Sequence, residues 1–296
     1  MSHPAERPDT HDLVRGHANL GDFELTICSD GTYYLDGGAM FGVVPKPLWE
    51  KRAPADELNR ILLGANTVIV RTGKHVVAIE TGLGNKLPPK LREIYGASEQ
   101  LPRSLDAAGV RREEIDIVIN THLHFDHCGW NTHRDEHGRI VPTFPNARYF
   151  VHRGEVEHGH KQLDRDRVSY ISDNYDPLVE SGQMTLLDGN FADIVPGISC
   201  EMYPGHTAQL MAVHIDSAGQ HATYISDLIP TSAHLDPTWV MGYDLFPLTC
   251  IEERKRFYSR AIPEKWIVLF THDHHHPMGR IEMNEKGRPE LRPMES

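Results

Sequence analysis

Positions 122 to 127 of the chain read His-Leu-His-Phe-Asp-His, three imidazoles and a carboxylate directly after the apolar run Ile115-Asp-Ile-Val-Ile-Asn120. Four ligands satisfy one tetrahedral zinc, and three further candidates stand downstream, so the pattern predicts a binuclear metal site. It also constrains the fold. The run reads as a strand, and ligands on a loop leaving a strand end have their backbone fixed by a rigid sheet. His122 and His124 can then face one ion while Asp126 and His127 face a second, because neighbouring positions outside regular structure project in different directions. Two adjacent ions point to metal-assisted hydrolysis.

The downstream candidates repeat the order of strand, then ligand. His206 stands in Tyr203-Pro-Gly-His-Thr207, where Gly205 allows a tight turn that brings backbone close to metal. Asp227 follows Ala222-Thr-Tyr-Ile-Ser226 and can bridge two cations with its two oxygens, and His272 follows Trp266-Ile-Val-Leu-Phe270. Because the chain has 20 histidines, short spacings also arise by chance. His3, His11, His17, His133, His137, His158, His160, His221 and His234 are therefore read as surface or core residues. In Thr271-His-Asp-His-His-His-Pro277, His272 is preferred as nearest the strand, leaving His274, His275 and His276 supporting or solvated.

Composition narrows the rest. At 296 residues, 39% apolar and 24% charged, the chain reads as one α/β hydrolase domain spanning 1–296. A net charge of −12 argues against a nucleic-acid partner, which requires clustered Lys and Arg. The polar Met1–Asp12 lacks the apolar core of a secretory signal, and no run reaches the roughly 20 apolar residues of a membrane span. The expected location is the cytoplasm, with no membrane partner. Cys28, Cys128, Cys200 and Cys250 show no C-x-x-C pairing and are read as small core residues.

Short β-branched runs bounded by Gly, Pro, Asp or Asn predict strands at Phe23–Cys28, Tyr33–Leu35, Thr67–Val70, His75–Ile79, Ile115–Asn120, Arg148–Val151, Met184–Leu187, Ile198–Tyr203, Ala212–Ile215, Ala222–Ile225 and Trp266–Phe270. Helices are predicted at Ser98–Ala108, stopped by Gly109, and at Gly154–Gln162, Asn174–Glu180 and Ile251–Ile262. Two packed sheets with helices outside follow. Leu35–Trp49, broken by Pro45 and Pro47, reads as an ordered loop whose Met40, Phe41 and Trp49 either cap the core or contact substrate. The charges of Lys161–Arg167 either gate the pocket or solvate a helix face, and their mixed pattern favours the solvated face.

The set His122-x-His124-x-Asp126-His127, with His206 in Pro-Gly-His-Thr, Asp227 in Ile-Ser-Asp and His272 after the last strand, resembles the metallo-β-lactamase superfamily over nearly the whole chain. That resemblance implies an αββα four-layer sandwich and a dinuclear centre. By position it implies His122, His124 and His206 on one metal, Asp126, His127 and His272 on the second, and Asp227 bridging. The true β-lactamases lack this bridging carboxylate, which demotes antibiotic hydrolysis. Asp36–Trp49 and Asp227-Leu-Ile-Pro-Thr231 resemble the N-acyl-homoserine lactonases, or quorum-quenching lactonases, and the methyl parathion hydrolases. Lactonases of this type carry a tyrosine three positions after the bridging Asp. Pro230 stands there instead, so that tyrosine's assistance to the carbonyl does not transfer.

The expected reaction is therefore opening of a small-molecule lactone by a hydroxide shared between two metals, since coordination lowers the pKa of water from about 15.7 towards about 7. Asp126 is the candidate proton shuttle, with Asp227 essential beside it; Tyr33, Tyr224 and Tyr243 are candidates for oxyanion help. Zn(II) is the default ion, while Co, Mn and Fe tolerate the same donors. A phosphotriesterase or arylesterase would share the site, as would a glyoxalase-type thioesterase, which needs a basic patch. The complete ligand set argues against a metal-binding scaffold without activity. A homodimer is expected from the Pro-rich aromatic loop and the resemblance.

Overall fold

The computed structural model describes residues 13–294; Met1–Asp12, with His3 and His11, lies outside them. β1 (Val14–Leu20) and β2 (Phe23–Asp36) form a hairpin, β3 (Arg60–Arg71) and β4 (Val76–Ile79) extend it antiparallel, and β5 (Ile117–Ile119) joins β4 in parallel. A separate two-stranded piece holds β6 (Thr132–Arg134) and β7 (Ile140–Pro142). β8 (Arg148–His152) and β9 (Met184–Leu187) complete a seven-stranded sheet in the order β1-β2-β3-β4-β5-β8-β9. A second seven-stranded sheet follows chain order through β10 (Phe191–Val195), β11 (Ile198–Met202), β12 (Met211–Ser217), β13 (Gln220–Tyr224), β14 (Ile267–Leu269), β15 (Met278–Met283) and β16 (Pro289–Pro293). The α-helices are α1 (Gly37–Phe41), α2 (Lys46–Trp49), α3 (Pro89–Tyr95), α4 (Leu101–Ala107), α5 (Phe125–Cys128), α6 (Arg153–Lys161), α7 (Asp176–Glu180) and α8 (Pro247–Ala261). Among the described residues no helix is long and apolar enough to cross a membrane.

Side chains alternate between the two faces of a strand, and that alternation builds the layers. Val68, Val70, Val77, Ile79, Ile117 and Ile119 of the first sheet meet Val213, Ile215, Tyr224, Ile267 and Leu269 of the second in one buried core. The intervening Ile69, Ala78 and Val118 point outward to Leu101, Leu105, Val156 and Leu178 of α4, α6 and α7. Ala212 and Val268 likewise pack against Phe257, Tyr258 and Ala261 of α8. Helix, sheet, sheet, helix is the metallo-β-lactamase fold that the strand pattern and the motif implied.

The differences from the expected elements have local causes. Phe23–Cys28 and Tyr33–Leu35 are one strand, interrupted by an irregularity between Ser29 and Thr32 where Gly31 adopts φ +93° and a Cβ would overlap Ser98. β1, β10 and β16 escaped detection because they are sheet edges, half in solvent and without an apolar run. Leu35–Trp49 is not loop throughout. Asp36 accepts from the Ala39 N–H to start α1, and Pro47 sits in the first turn of α2, so a residue that blocks a strand instead opens a helix. Gly109, at φ +65°, ends α4 as its spacing suggested.

One corner of the core supports the site. Phe41 stacks between Trp49, at 5.1 Å, and His234, at 4.4 Å, with both pairs of rings nearly parallel. The buried His234 donates to the Met40 carbonyl at 2.9 Å through Nε2 and meets Thr231 Oγ1 at 2.8 Å through Nδ1, where the neutral ring can accept the hydroxyl proton. Burial, reinforced by the Arg254 charge, holds its pKa down at about 4. The unfolded chain takes up this proton near pH 6.5 and the folded chain does not, so stability is complete above that pH and is lost as pH falls towards 4. Over that interval the unfolding free energy of the native chain should fall about 3 kcal/mol further than that of His234→Asn. Denaturant titrations at stepped pH test this; parallel slopes for the two proteins would contradict it.

Candidate metal centre

The ligand residues converge at one end of the two sheets, beyond β5, β11, β13 and β14. The sheets are joined there by backbone hydrogen bonds: Met211 N–H to Thr121 O, Asn66 N–H to Thr271 O and Gly64 N–H to His272 O. After β5 the chain turns, and Phe125–Cys128 closes into the single helical turn α5 with His124 as its N-cap residue. Successive helical residues point about 100° apart. Asp126 and His127 therefore diverge by regular helix geometry, not by the irregular loop that the sequence suggested.

Asp227 lies at the middle of the cluster. Its Oδ2 is 3.2 Å from His206 Nε2, 3.4 Å from His127 Nε2 and 3.9 Å from His122 Nε2, and its Oδ1 is 3.1 Å from His272 Nε2. His206 Nε2 faces His124 Nδ1 at 3.0 Å, and His272 Nε2 faces His127 Nε2 at 3.2 Å. Asp126 lies 3.8 Å from both His127 and His272. Two groups result, His122/His124/His206/Asp227 and Asp126/His127/His272, each with its ligand atoms within 4.8 Å of one another. Glu80 forms a third group with His122 and His127, but one of its oxygens is engaged by the Thr121 N–H and hydroxyl.

These separations fit shared cations. Tetrahedral ligands about 2.0–2.1 Å from one ion stand about 3.3 Å apart, close to the distances between the facing nitrogens and oxygens. The fully buried His122 Nε2 and Asp227 Oδ1 have no hydrogen-bond partner among the described residues, which in an interior is costly unless a cation satisfies them. The ionisation states divide: burial lowers His127 and His206, but the neighbouring carboxylates, Asp227 first, outweigh it and raise both, so these two rings must release a proton for an ion to bind. Burial and the neighbouring imidazoles push His122 and His124 far down, leaving neutral rings. Burial alone would raise Asp227, but His127, His272 and His206 outweigh it and hold the carboxyl well below the usual range.

Supporting contacts fix which nitrogen each ring presents. His206 Nδ1 meets Asp244 at 2.9 Å, His272 Nδ1 meets the Gly64 carbonyl at 3.0 Å, and His122 Nδ1 meets Thr121 Oγ1 at 3.1 Å, so each directs Nε2 into the cluster. Tyr33 donates to Asp126 Oδ2 at 2.7 Å. Ser226, at φ +52°, and Glu80, at φ +63°, hold a left-handed backbone beside the ligands, both bonded to Thr121. Gly205, at φ +148°, makes the tight turn expected before His206, its N–H donating to Thr207 O at 2.8 Å, and because a Cβ there would collide with Cys250 at the start of α8, the glycine also seats the His206 loop on that helix.

The cleft over the cluster is lined by His124, Asp126, His206, Asp227 and His272, by Leu35, Met40, Phe125, Val168, Met241 and Leu245, and by Tyr33, Tyr95 and Tyr243. Of the three residues read as substrate contacts only Met40 lines it. Phe41 and Trp49 are buried and stacked behind, because two large rings find more apolar contact in the corner core than at a wet wall. Tyr224 leaves the oxyanion candidates, since its hydroxyl donates to Asn66 O. Residues 162–169 form a strap beside the cleft rather than a solvated helix face: Arg165, Asp166, Val168 and Ser169 line it, and Arg165 donates across to the Gly242 carbonyl. His275 and His276 are exposed, His274 is bonded by Arg15, and none of the three belongs to a ligand group. Neither does any cysteine; all four are buried and unbridged.

Glu80, Asp244 and Glu155 were missed from sequence. Glu80 ends β4 as the ligands end their strands, and that signal was present in Ile79-Glu80. Asp244 in a loop and Glu155 on a helix carry no comparable mark.

Fold and cluster together define a metal-dependent hydrolase. Residues 60–272 match the family model described as the metallo-beta-lactamase superfamily, and the chain belongs to that superfamily. An N-acyl homoserine lactonase of Bacillus cereus is 24% identical over 187 residues, a match covering 62% of this chain and 65% of the lactonase. Among solved structures, a probable metal-dependent hydrolase from Staphylococcus aureus superposes with a TM-score of 0.84 at 30% identity, covering 94% of this chain and 100% of that one. AidC, a dizinc quorum-quenching lactonase in complex with a product, shares the fold with a TM-score of 0.79 at 21% identity, covering 96% and 99%.

Proposed function

We propose that the chain is a dinuclear metal-dependent lactonase that opens the ring of N-acyl-homoserine lactones. One observation carries this reading: two adjacent ligand groups share a cleft whose wall of Leu35, Met40, Phe125, Val168, Met241 and Leu245 suits an acyl chain. Similarity to the Bacillus lactonase supports it. The proposed ion is Zn(II), with Co, Mn and Fe compatible with the same nitrogen and oxygen donors. Such ions polarise a carbonyl and lower the pKa of bound water towards about 7.

The side chains divide the remaining work. Asp227 belongs between the two groups, its Oδ2 nearest His206 and its Oδ1 nearest His272. Asp126 is the proposed proton carrier to the leaving alkoxide. Tyr33 already donates its hydroxyl proton to Asp126, so it orients that carboxylate and does not serve the carbonyl. Pro230 has a different task, its carbonyl accepting the His272 N–H at 3.0 Å. The hydroxyl proposed in place of the lactonase tyrosine is that of Tyr243, in the cleft wall.

The same apolar wall and three tyrosines suit aryl phosphotriesters, which form the second substrate class to assay. A glutathione thioester is disfavoured, because among the described residues Arg165 is the one Lys or Arg lining the cleft and it is engaged by Gly242 O. Zinc-loaded protein should release protons from a long-chain N-acyl-homoserine lactone, and Asp227→Ala should lose at least one metal equivalent and nearly all turnover. No ring opening by protein holding two zinc ions would remove the lactonase assignment and turn the search to phosphotriesters. Tyr243→Phe should lower kcat about 100-fold with little change in KM; a kcat within a few-fold of native excludes Tyr243 from the role.

A further inference from the structure

Glu155, on α6, is fully buried among groups that the reaction does not use directly. Its oxygens take three donors from three separate segments. Oε2 accepts from the Leu123 N–H and from the Tyr170 hydroxyl, each at 3.2 Å, and Oε1 accepts from the Thr207 hydroxyl at 2.6 Å. Leu123 lies between His122 and His124, and Thr207 follows His206. One carboxylate thus joins both loops that supply the imidazoles of one ligand group. Tyr170 follows the strap, and its ring meets the edge of His124 with centroids 4.9 Å apart. Asp126, His127 and His272 make no hydrogen bond to Glu155 among the described residues; Tyr33 holds Asp126 and the Gly64 carbonyl holds His272 instead.

We propose that Glu155 is a positioning residue for one metal site alone: it sets the spacing of His122, His124 and His206, and through Tyr170 it ties that spacing to the strap beside the cleft. The proposal rests on the dinuclear reading above but not on the identity of the ester. Its physical basis is that three hydrogen bonds to one buried carboxylate hold both loops, whereas a glutamine of the same size turns its NH2 group either to the Leu123 N–H, which cannot accept, or to a hydroxyl that must reverse its bond. Residues standing behind metal ligands typically contribute about 10- to 100-fold to metal affinity. A role in folding alone would weaken both sites together or neither.

The test strips zinc from the loaded protein with graded chelator and reads bound metal directly. His206→Ala and His272→Ala assign the two release steps to their groups. Glu155→Gln should weaken the step that His206→Ala abolishes by about 10- to 100-fold, and leave the other within about 3-fold. Thr207→Val, which removes a single donor, should give the same selectivity with a smaller loss, and it carries the test if Glu155→Gln does not fold. Native affinity at both steps in either folded variant, or equal weakening of both, overturns the proposal. A native protein that releases zinc in one step overturns the dinuclear reading itself and the proposal with it. Failure to hydrolyse lactones, by contrast, leaves this result standing.

Discussion

Two carboxylates and five imidazoles crowded into one largely buried cluster turn more lone pairs towards one another than direct hydrogen bonds can satisfy, and divalent cations between them relieve that cost. Everything at the convergent end of the sheets follows from that requirement. Asp227 stands within 3.9 Å of four imidazole nitrogens, and two pairs of ring nitrogens face each other at 3.0 and 3.2 Å. Protons would satisfy only some of those lone pairs. Divalent ions satisfy them together, which is why so concentrated a polar cluster is tolerated behind the apolar core of two sheets.

Rigid support is the corollary. Asn66 on β3 donates to the carbonyls of Phe270 and Asp273, fastening the His272 loop to the opposite sheet, while the Tyr224 hydroxyl holds Asn66 O. Thr121 links Glu80 to Ser226, so the loops before His122 and Asp227 move as one. Positive φ at Glu80 and Ser226 costs backbone energy that the surrounding hydrogen bonds offset. The cleft is built differently. Its wall comes from β2, α1, α3, the strap and residues 241–245, together with Phe125 of the ligand turn, and the Arg165 contact with Gly242 joins the strap to residues 241–245.

Much of this was legible in the sequence because metal ligation demands particular atoms at particular strand ends. The β-branched runs marked the central strands, and the first His or Asp after four of them, two or three positions on, marked His122, His206, Asp227 and His272. Three of the four edge strands were silent because half-solvated strands need no apolar run, as β1 and β16 show, whereas β9 carries one in Met184–Leu187. Phe41 and Trp49 misled for a related reason: an aromatic in a Pro-rich segment reads alike whether it faces a cleft or a core. Asp244 and Glu155 were invisible because their work depends on loops that meet only in three dimensions.

The central claim, two divalent ions per chain held by two ligand groups about one carboxylate, is tested most directly by anomalous diffraction at the zinc edge from crystals of the zinc-loaded protein. The account predicts two peaks, one among His122, His124 and His206, the other among Asp126, His127 and His272, with Asp227 between them. A single peak at this cluster, or zinc bound elsewhere while the cluster stays empty, would contradict it.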